Sequence, residues 1–156
     1  MDYKIRSATP DDHDLIYTLK SQSVRPYVEK IWGWDESYQQ KDFDRDFSQI
    51  EQFKVIQING KFIGFVQCYL EYSCYHVVEI HLLPEYRGKG IGTDILKAIQ
   101  KTCSVQGRRI QIGCFKENDR AKNLYQKLGF IQVGETDTHY ILKYDAGLAN
   151  VSREVM

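Results

Sequence analysis

The sequence predicts an α/β chain, a mixed sheet of about seven strands flanked by about four helices. Three observations predict it. Short apolar runs alternate with helical patterns in the order β-α-α-β-β-β-α-β-α-β-β. Asn59-Gly60 separates two strand-like runs, and that dipeptide tolerates the positive φ angles of a tight hairpin. A third apolar run, at 76–83, passes through a glycine-rich loop straight into a helix pattern.

Each element has its local reason. Tyr3-Lys4-Ile5-Arg6 alternates like a first strand. Thr9-Pro10-Asp11-Asp12 is a helix start: a capping threonine, a proline suited to the first turn, and acids at the positive helix end. Leu15, Ile16 and Leu19 mark the apolar face that follows. Over 35–50, Phe43, Phe47 and Ile50 recur at helical spacing. Residues 53–58 and 62–69 are the hairpin strands, and 76–83 is a strongly apolar third. Ile91, Ile95, Leu96 and Ile99 share one face of the next helix, which runs to about Cys103. Residues 109–115 read as a strand. Residues 118–128 read as a helix with Ala121, Leu124, Tyr125 and Leu128 on one face, ended by Gly129. Residues 130–134 and 138–144 form a last hairpin. One domain over 1–144 is expected, with a frayed tail over 145–156.

Bulk composition excludes several classes. The chain has 156 residues and is 42% hydrophobic, enough for one sizeable core. Lys plus Arg equals Asp plus Glu, 21 each, so bulk charge does not direct it to nucleic acid. No run of 18 apolar residues and no leader pattern occurs, so a cytoplasmic chain without a membrane anchor is expected. Cys68, Cys74, Cys103 and Cys114 lack C-x-x-C spacing and read as small buried hydrophobes rather than metal ligands or disulfides.

The loop in "HLLPEYRGKGIGTDILK" carries the most chemistry. The P-loop pattern fails, because no glycine lies five residues before Gly88 and Gly90 follows Lys89. The dinucleotide pattern G-x-G-x-x-G fails too, since Gly88, Gly90 and Gly92 alternate and position 93 is threonine. What fits is Arg/Gln-x-x-Gly-x-Gly. A helix beginning here leaves backbone N–H groups unpaired, and glycines let an anion approach them. Arg87, Lys89 and the Thr93 hydroxyl can add contacts. The guest that suits this cradle is a pyrophosphate. The alternative is a tight connection that binds nothing.

The stretch "LLPEYRGKGIGTDIL", followed downstream by "NDRAKNLYQKLGF", resembles the GNAT superfamily of acetyl-coenzyme A-dependent N-acetyltransferases. The resemblance runs from "IRSATPDDHDLI" to "THYILKY". It implies a sheet whose fourth and fifth strands splay apart around the pantetheine arm of coenzyme A. Backbone amides of Arg87, Gly88, Lys89, Gly90, Ile91, Gly92 and Thr93 would then hold the pyrophosphate. The backbone of Ile80 to Leu82 would pair with the pantetheine amides. Asn118 matches the family asparagine beside that arm, and is equally placed to cap its own helix. Tyr125 matches the tyrosine aimed at the thioester sulfur, though it also lies on an apolar face.

Acetyl transfer needs a neutral amine, a polarised thioester carbonyl and a stabilised leaving thiolate. The Leu82 amide could serve the oxyanion and Tyr125 the sulfur, by direct attack in a ternary complex. Glu79 is the candidate base. It and His81 alternate along one strand, about 7 Å apart on one face. Burial is expected to raise the pKa of Glu79. A merely structural carboxylate is the other reading. The acceptor pocket is expected in "VRPYVEKIWGWDESY", with Tyr27, Trp32 and Trp34 as walls and Glu29, Asp35 and Glu36 attracting a cation. Packing of the tryptophans into the core is the alternative. "THYILKY" resembles the last strand of a family subgroup that also carries a W-G-W-D-like stretch, and adds His139 or Tyr140 to the pocket. The expected partners are acetyl-coenzyme A and a small primary amine, with no metal. The family is often homodimeric. A protein amine or a non-catalytic acyl-coenzyme A sensor are the competing readings.

Overall fold

In the computed structural model, which describes residues 2–146, seven strands form one mixed sheet in the order β1-β2-β3-β4-β5-β7-β6. The strands are β1 Lys4–Ser7, β2 Phe53–Ile58, β3 Lys61–Glu71, β4 Cys74–Leu82, β5 Arg109–Phe115, β6 Ile131–Glu135 and β7 His139–Tyr144. The helices are α1 His13–Trp32, α2 Glu36–Phe47, α3 Ile91–Val105 and α4 Asp119–Lys127. The element order and the strand and helix counts are those expected. Residues 147–156 of the expected tail lie outside the described residues. Ala146, which that tail included, is buried.

β4 and β5 pair in parallel, joined by the α3 crossover. Their ladder pairs Cys74–Val77 with Arg109–Ile112. β4 continues to Leu82 and β5 to Phe115 beyond its last rung. The chain comprises two compact units that share β3 and β4. The first holds the described residues up to Gln67 with Glu79–Ile91, and the second holds Cys68–Val78 with Gly92 onward.

The first unit is organised by aromatics. Ile16 and Leu19 of α1, Phe43 and Phe47 of α2, Phe53 and Val55 of β2, and Phe65 of β3 form one buried cluster. Phe43 and Phe47 stack at 5.4 Å, and Phe53 meets Phe47 edge-on at 5.1 Å. Leu15, expected on this face, is 52% exposed. A helix spaces Ile16 and Leu19 to one side, and residue 15 falls off the stripe. The start of α1 is pinned by Asp12, whose carboxylate accepts two bonds from Arg6 at 2.7 Å and one from the Thr9 amide at 2.8 Å. These bonds hold the Asp12 carboxyl below its ordinary value, Arg6 having the largest effect.

The α1–α2 corner is short. α1 runs through Pro26 to Trp32, and the corner is only Gly33 to Asp35. Pro26 removes one helical hydrogen bond, but buried Val28 on the next turn keeps the helix docked. Gly33 ends it at φ 79°, and the Asp35 side chain caps α2 by accepting from the Tyr38 amide at 3.1 Å. The β2–β3 turn has Asn59 at φ 52° and Gly60 at φ 75°, as its dipeptide requires.

In the second unit, Ile95 and Leu96 of α3, Ile110 and Ile112 of β5, Tyr125 of α4, Phe130 and Leu142 of β7 are buried. The Gln100 side chain donates to the Leu128 carbonyl at 2.8 Å and ties α3 to the end of α4. Gly129 follows at φ 94°. All four cysteines are free thiols, three of them buried. Among the described residues, no helix is long and apolar enough to cross a membrane.

Candidate active site

Three parts of the expected site lie in the first unit. The loop follows β4 through a short turn, Pro84–Tyr86, and enters α3 at Ile91. Gly88 and Gly90 have φ of 72° and 85°, conformations in which other residues are strained. Residues 87–90 are exposed, while Ile91 is buried and anchors the helix start. A Cβ at Gly90 would meet nothing within 4 Å, so the backbone is open on that side. The positive end of a 15-residue helix fits a pyrophosphate, while the Arg87 amide, expected to take part, already donates to the Pro84 carbonyl at 3.2 Å.

The Arg87 side chain has a job within the chain. Its Nε donates to the Leu82 carbonyl at 2.8 Å, and its Nη2 lies 3.4 Å from the Ser23 hydroxyl of α1. It fixes the end of β4 to the loop. Lys89 lies 5.8 Å from the Tyr86 ring centroid.

Glu79 and His81 do share one face of β4. Their Oε1 and Nε2 atoms approach to 3.6 Å, closer than the strand repeat, because both side chains lean together. Lys20 of α1 meets the other carboxylate oxygen at 3.3 Å and reaches Asp46 of α2 at 3.8 Å. The expectation of a raised pKa at Glu79 is corrected here. Burial is the largest single influence and pushes the carboxyl up, but His81 and the Lys20 ammonium together outweigh it. The net is a carboxyl below its ordinary value, so Glu79 is a carboxylate at neutral pH. Asp46 moves the opposite way, pushed up first by burial.

Gly64 of β3 was not foreseen. A Cβ there would stand 2.3 Å from the His81 carbonyl oxygen and 3.2 Å from the Leu82 Cα. Only glycine lets β3 lie this close to the segment carrying the expected oxyanion amide. A glycine inside the apolar run "FIGFV" was the available signal. Lys20 was missed as well. Its signal was a cation next to Leu19 and four residues after Ile16, beside the buried stripe.

The expected acceptor walls are rearranged. Trp32 is 63% exposed at the end of α1. Trp34 is half-buried, with Arg25 5.0 Å from its ring and its Nε1 donating to Glu36 at 2.7 Å. Neither tryptophan is in the core. Tyr27 is half-buried on α1. The three acids expected to attract a cation are engaged by the chain itself. Glu36 accepts from Trp34, Tyr17 and Gln40, Glu29 pairs with Arg25 at 3.1 Å, and Asp35 caps α2.

The second unit carries the remaining candidates. Asn118 is the N-cap of α4, its Oδ1 accepting from the Ala121 amide at 3.1 Å. That leaves its Nδ2 group for a ligand. Tyr125 is 8% exposed, with its ring 6.0 Å from Phe130. Burial pushes its phenol well up, with a smaller push from Cys114. It is therefore a neutral hydroxyl, able to donate a proton. Gly92 and Thr93, in the first turn of α3, are half-buried. Tyr140 of β7 has Lys122 at 4.0 Å from its ring centroid, so a cation from its own chain covers it. A cavity of about 190 Å³ lies at the end of the β4–β5 ladder, lined by Val77, Val78, Ile112 and Gly113 among others. Ile80 and Leu82, expected to pair with pantetheine, belong to the first unit and are half-buried. Among the described residues, no three His, Cys, Asp or Glu side chains gather as for a metal ion.

Comparison with known proteins agrees with the sheet. An acetyltransferase (GNAT) family model matches residues 16–130. An uncharacterized N-acetyltransferase of Methanocaldococcus jannaschii is 33% identical over 139 residues, 82% of this chain, and the chain spans 60% of that relative's length. An N-alpha-acetyltransferase of Sulfurisphaera tokodaii is 27% identical over 94% of this chain and 91% of its own length. In fold, the chain is similar to the PaiA N-acetyltransferase from Thermoplasma acidophilum, solved in complex with coenzyme A. The TM-score is 0.74 at 18% identity, covering 93% of this chain and 99% of that one. Strand order, glycine loop and matched residues lead to one conclusion: the chain belongs to the acetyltransferase (GNAT) family.

Proposed function

We propose that this chain transfers the acetyl group of acetyl-coenzyme A to a primary amine of a small molecule. The observation that carries the reading is the glycine loop, with Gly88 and Gly90 at positive φ opening the N-terminus of α3. In this reading the amides of residues 88–93 hold the pyrophosphate, and Arg87 and Lys89 bring positive charge to it. The Ile80 to Leu82 backbone and the Asn118 amide hold the pantetheine arm.

The chain's own groups then divide the chemistry. The Leu82 amide donates to the carbonyl oxygen as it gains charge. The Tyr125 hydroxyl gives its proton to the departing sulfur. Glu79 accepts a proton from the attacking amine through a water, since its carboxylate is ionised at neutral pH. Coenzyme A supplies the activated acyl group. His81 lies beside Glu79 on the acceptor side in this reading.

The Glu79 side chain is only 16% exposed, which favours a small amine. A second reading, a protein or peptide amine, is favoured by the exposed Trp32 and by the relative named N-alpha-acetyltransferase. One assay tests both. Acetyl-coenzyme A is supplied with a panel of small amines and of peptides with free N-termini, and thiol release is followed. Turnover with a small amine is expected. Turnover with peptides alone would give the second reading. Tight binding of acetyl-coenzyme A without turnover on any amine would leave a sensor module.

A further inference from the structure

We propose that Lys20 is a positioning residue for the Glu79 carboxylate, and that Asp46 holds Lys20 in that role. The proposal rests on the reading of Glu79 as the proton acceptor. The geometry is specific. One ammonium from α1 stands 3.3 Å from Glu79 Oε2 on β4 and 3.8 Å from Asp46 Oδ2 on α2. It also lies 5.7 Å from the Phe43 ring centroid, within reach of the negative ring face. The Lys20 side chain is only 18% exposed. A flexible, strongly hydrated cation does not settle there without a reason in charge.

What Lys20 leaves undone is as informative. Glu79 Oε2 and His81 Nε2 are both buried, and neither has a hydrogen-bond partner. Buried polar atoms are normally paired, and unpaired ones concentrate where a ligand or a water completes them. Lys20 therefore holds Glu79 by charge, close to Oε2 but not aligned for a directed bond. The carboxylate keeps its lone pairs for a water or an incoming amine. The groups facing Glu79 are Lys20 from α1, His81 from β4 itself and Asp46 from α2, with Asp42 and Arg45 farther along that helix. Without Lys20, the carboxylate would keep its burial and its acidic neighbour while losing its nearest cation.

The test uses Lys20→Met, which keeps side-chain bulk and removes the charge, and Lys20→Arg, which restores it. Glu79 is followed by carboxyl ¹³C NMR titration, and kcat by pH profile with the acceptor amine. The Glu79 titration in Lys20→Met is expected to move up by about 1–3 pH units. The acid limb of kcat should move with it, the KM for acetyl-coenzyme A should not change, and Lys20→Arg should restore most of the profile. If Lys20→Met fails to fold, Lys20→Gln serves as the uncharged variant. Titration and pH profile superimposable on wild type would overturn the proposal. A moved titration in Lys20→Met, with a wild-type chain that turns over no amine, would support the coupling and overturn only the reading of the reaction.

Discussion

Gly64 and His81 are in backbone contact so close that a single added carbon would stand 2.3 Å from the His81 carbonyl oxygen. The two residues belong to β3 and to the segment of β4 that carries Glu79 and Leu82. Gly64→Ala must push that segment aside. A loss of about 1–3 kcal/mol is expected from chemical denaturation, as for other overpacked sites. Turnover should fall further than stability accounts for, since Leu82 moves. A variant with unchanged kcat would separate the Leu82 amide from the chemistry.

Gly90 stands at φ 85° with open space where a side chain would go. Gly90→Ala is therefore strained by its backbone and not by a clash. The cost is about 1–2 kcal/mol. If the loop seats pyrophosphate, relaxation of that strain misaligns the amides. The KM for acetyl-coenzyme A should rise about tenfold, while kcat at saturation changes little. Isothermal titration with coenzyme A checks this directly. Unchanged affinity would argue that the loop is only a connection.

Tyr125→Phe removes one hydroxyl and keeps the ring against Phe130. Thermal stability should shift little. The kcat should drop about 100-fold or more if the hydroxyl protonates the sulfur. An acceptor-side role predicts a raised KM for the amine instead. Steady-state kinetics with both substrates varied distinguishes the two.

His13 joins α1 to α2 by its contact to Asp44 at 2.6 Å, and it also meets Asp14 of its own helix at 2.8 Å. Asp14 first and then Asp44 raise its pKa above the ordinary 6.5. The imidazolium is thus favoured by folding. Its contribution is complete below about pH 6.5 and is lost as pH rises through the higher folded value. The melting-temperature advantage of wild type over His13→Gln should be largest near pH 6 and shrink toward pH 8.5. An advantage flat across that range would rule out the ion pair as its source.

The legible parts of this protein are those in which neighbouring residues decide the outcome. Asn59-Gly60 dictates its own turn, and Thr9 to Asp12 dictates a helix start. "RGKGIG" dictates a glycine loop entering a helix, and "NDRAKNLYQKLGF" a capped helix with Tyr125 on its inner face. Each depends on φ preferences and on spacings of three or four residues, which sequence carries in full. The corner at residues 33–35 was less legible. Pro26 signals a break, while the buried Val28 that overrides it depends on packing.

Charge state and engagement were decided only in three dimensions. The acidity of Glu79 depends on its burial, on a histidine two residues along its own strand and on a lysine from α1. The acids near the tryptophans look free in the sequence, and they are bound to Arg25, Trp34, Tyr17 and the α2 amides in the fold. Sequence by itself determined the element order, the glycine loop and the family. The tertiary structure decided which carboxylate stays ionised, which arginine is committed and which tryptophan faces solvent. The reason is physical: backbone preference acts between near neighbours along the chain, whereas electrostatics and burial act across space between residues that only folding brings together.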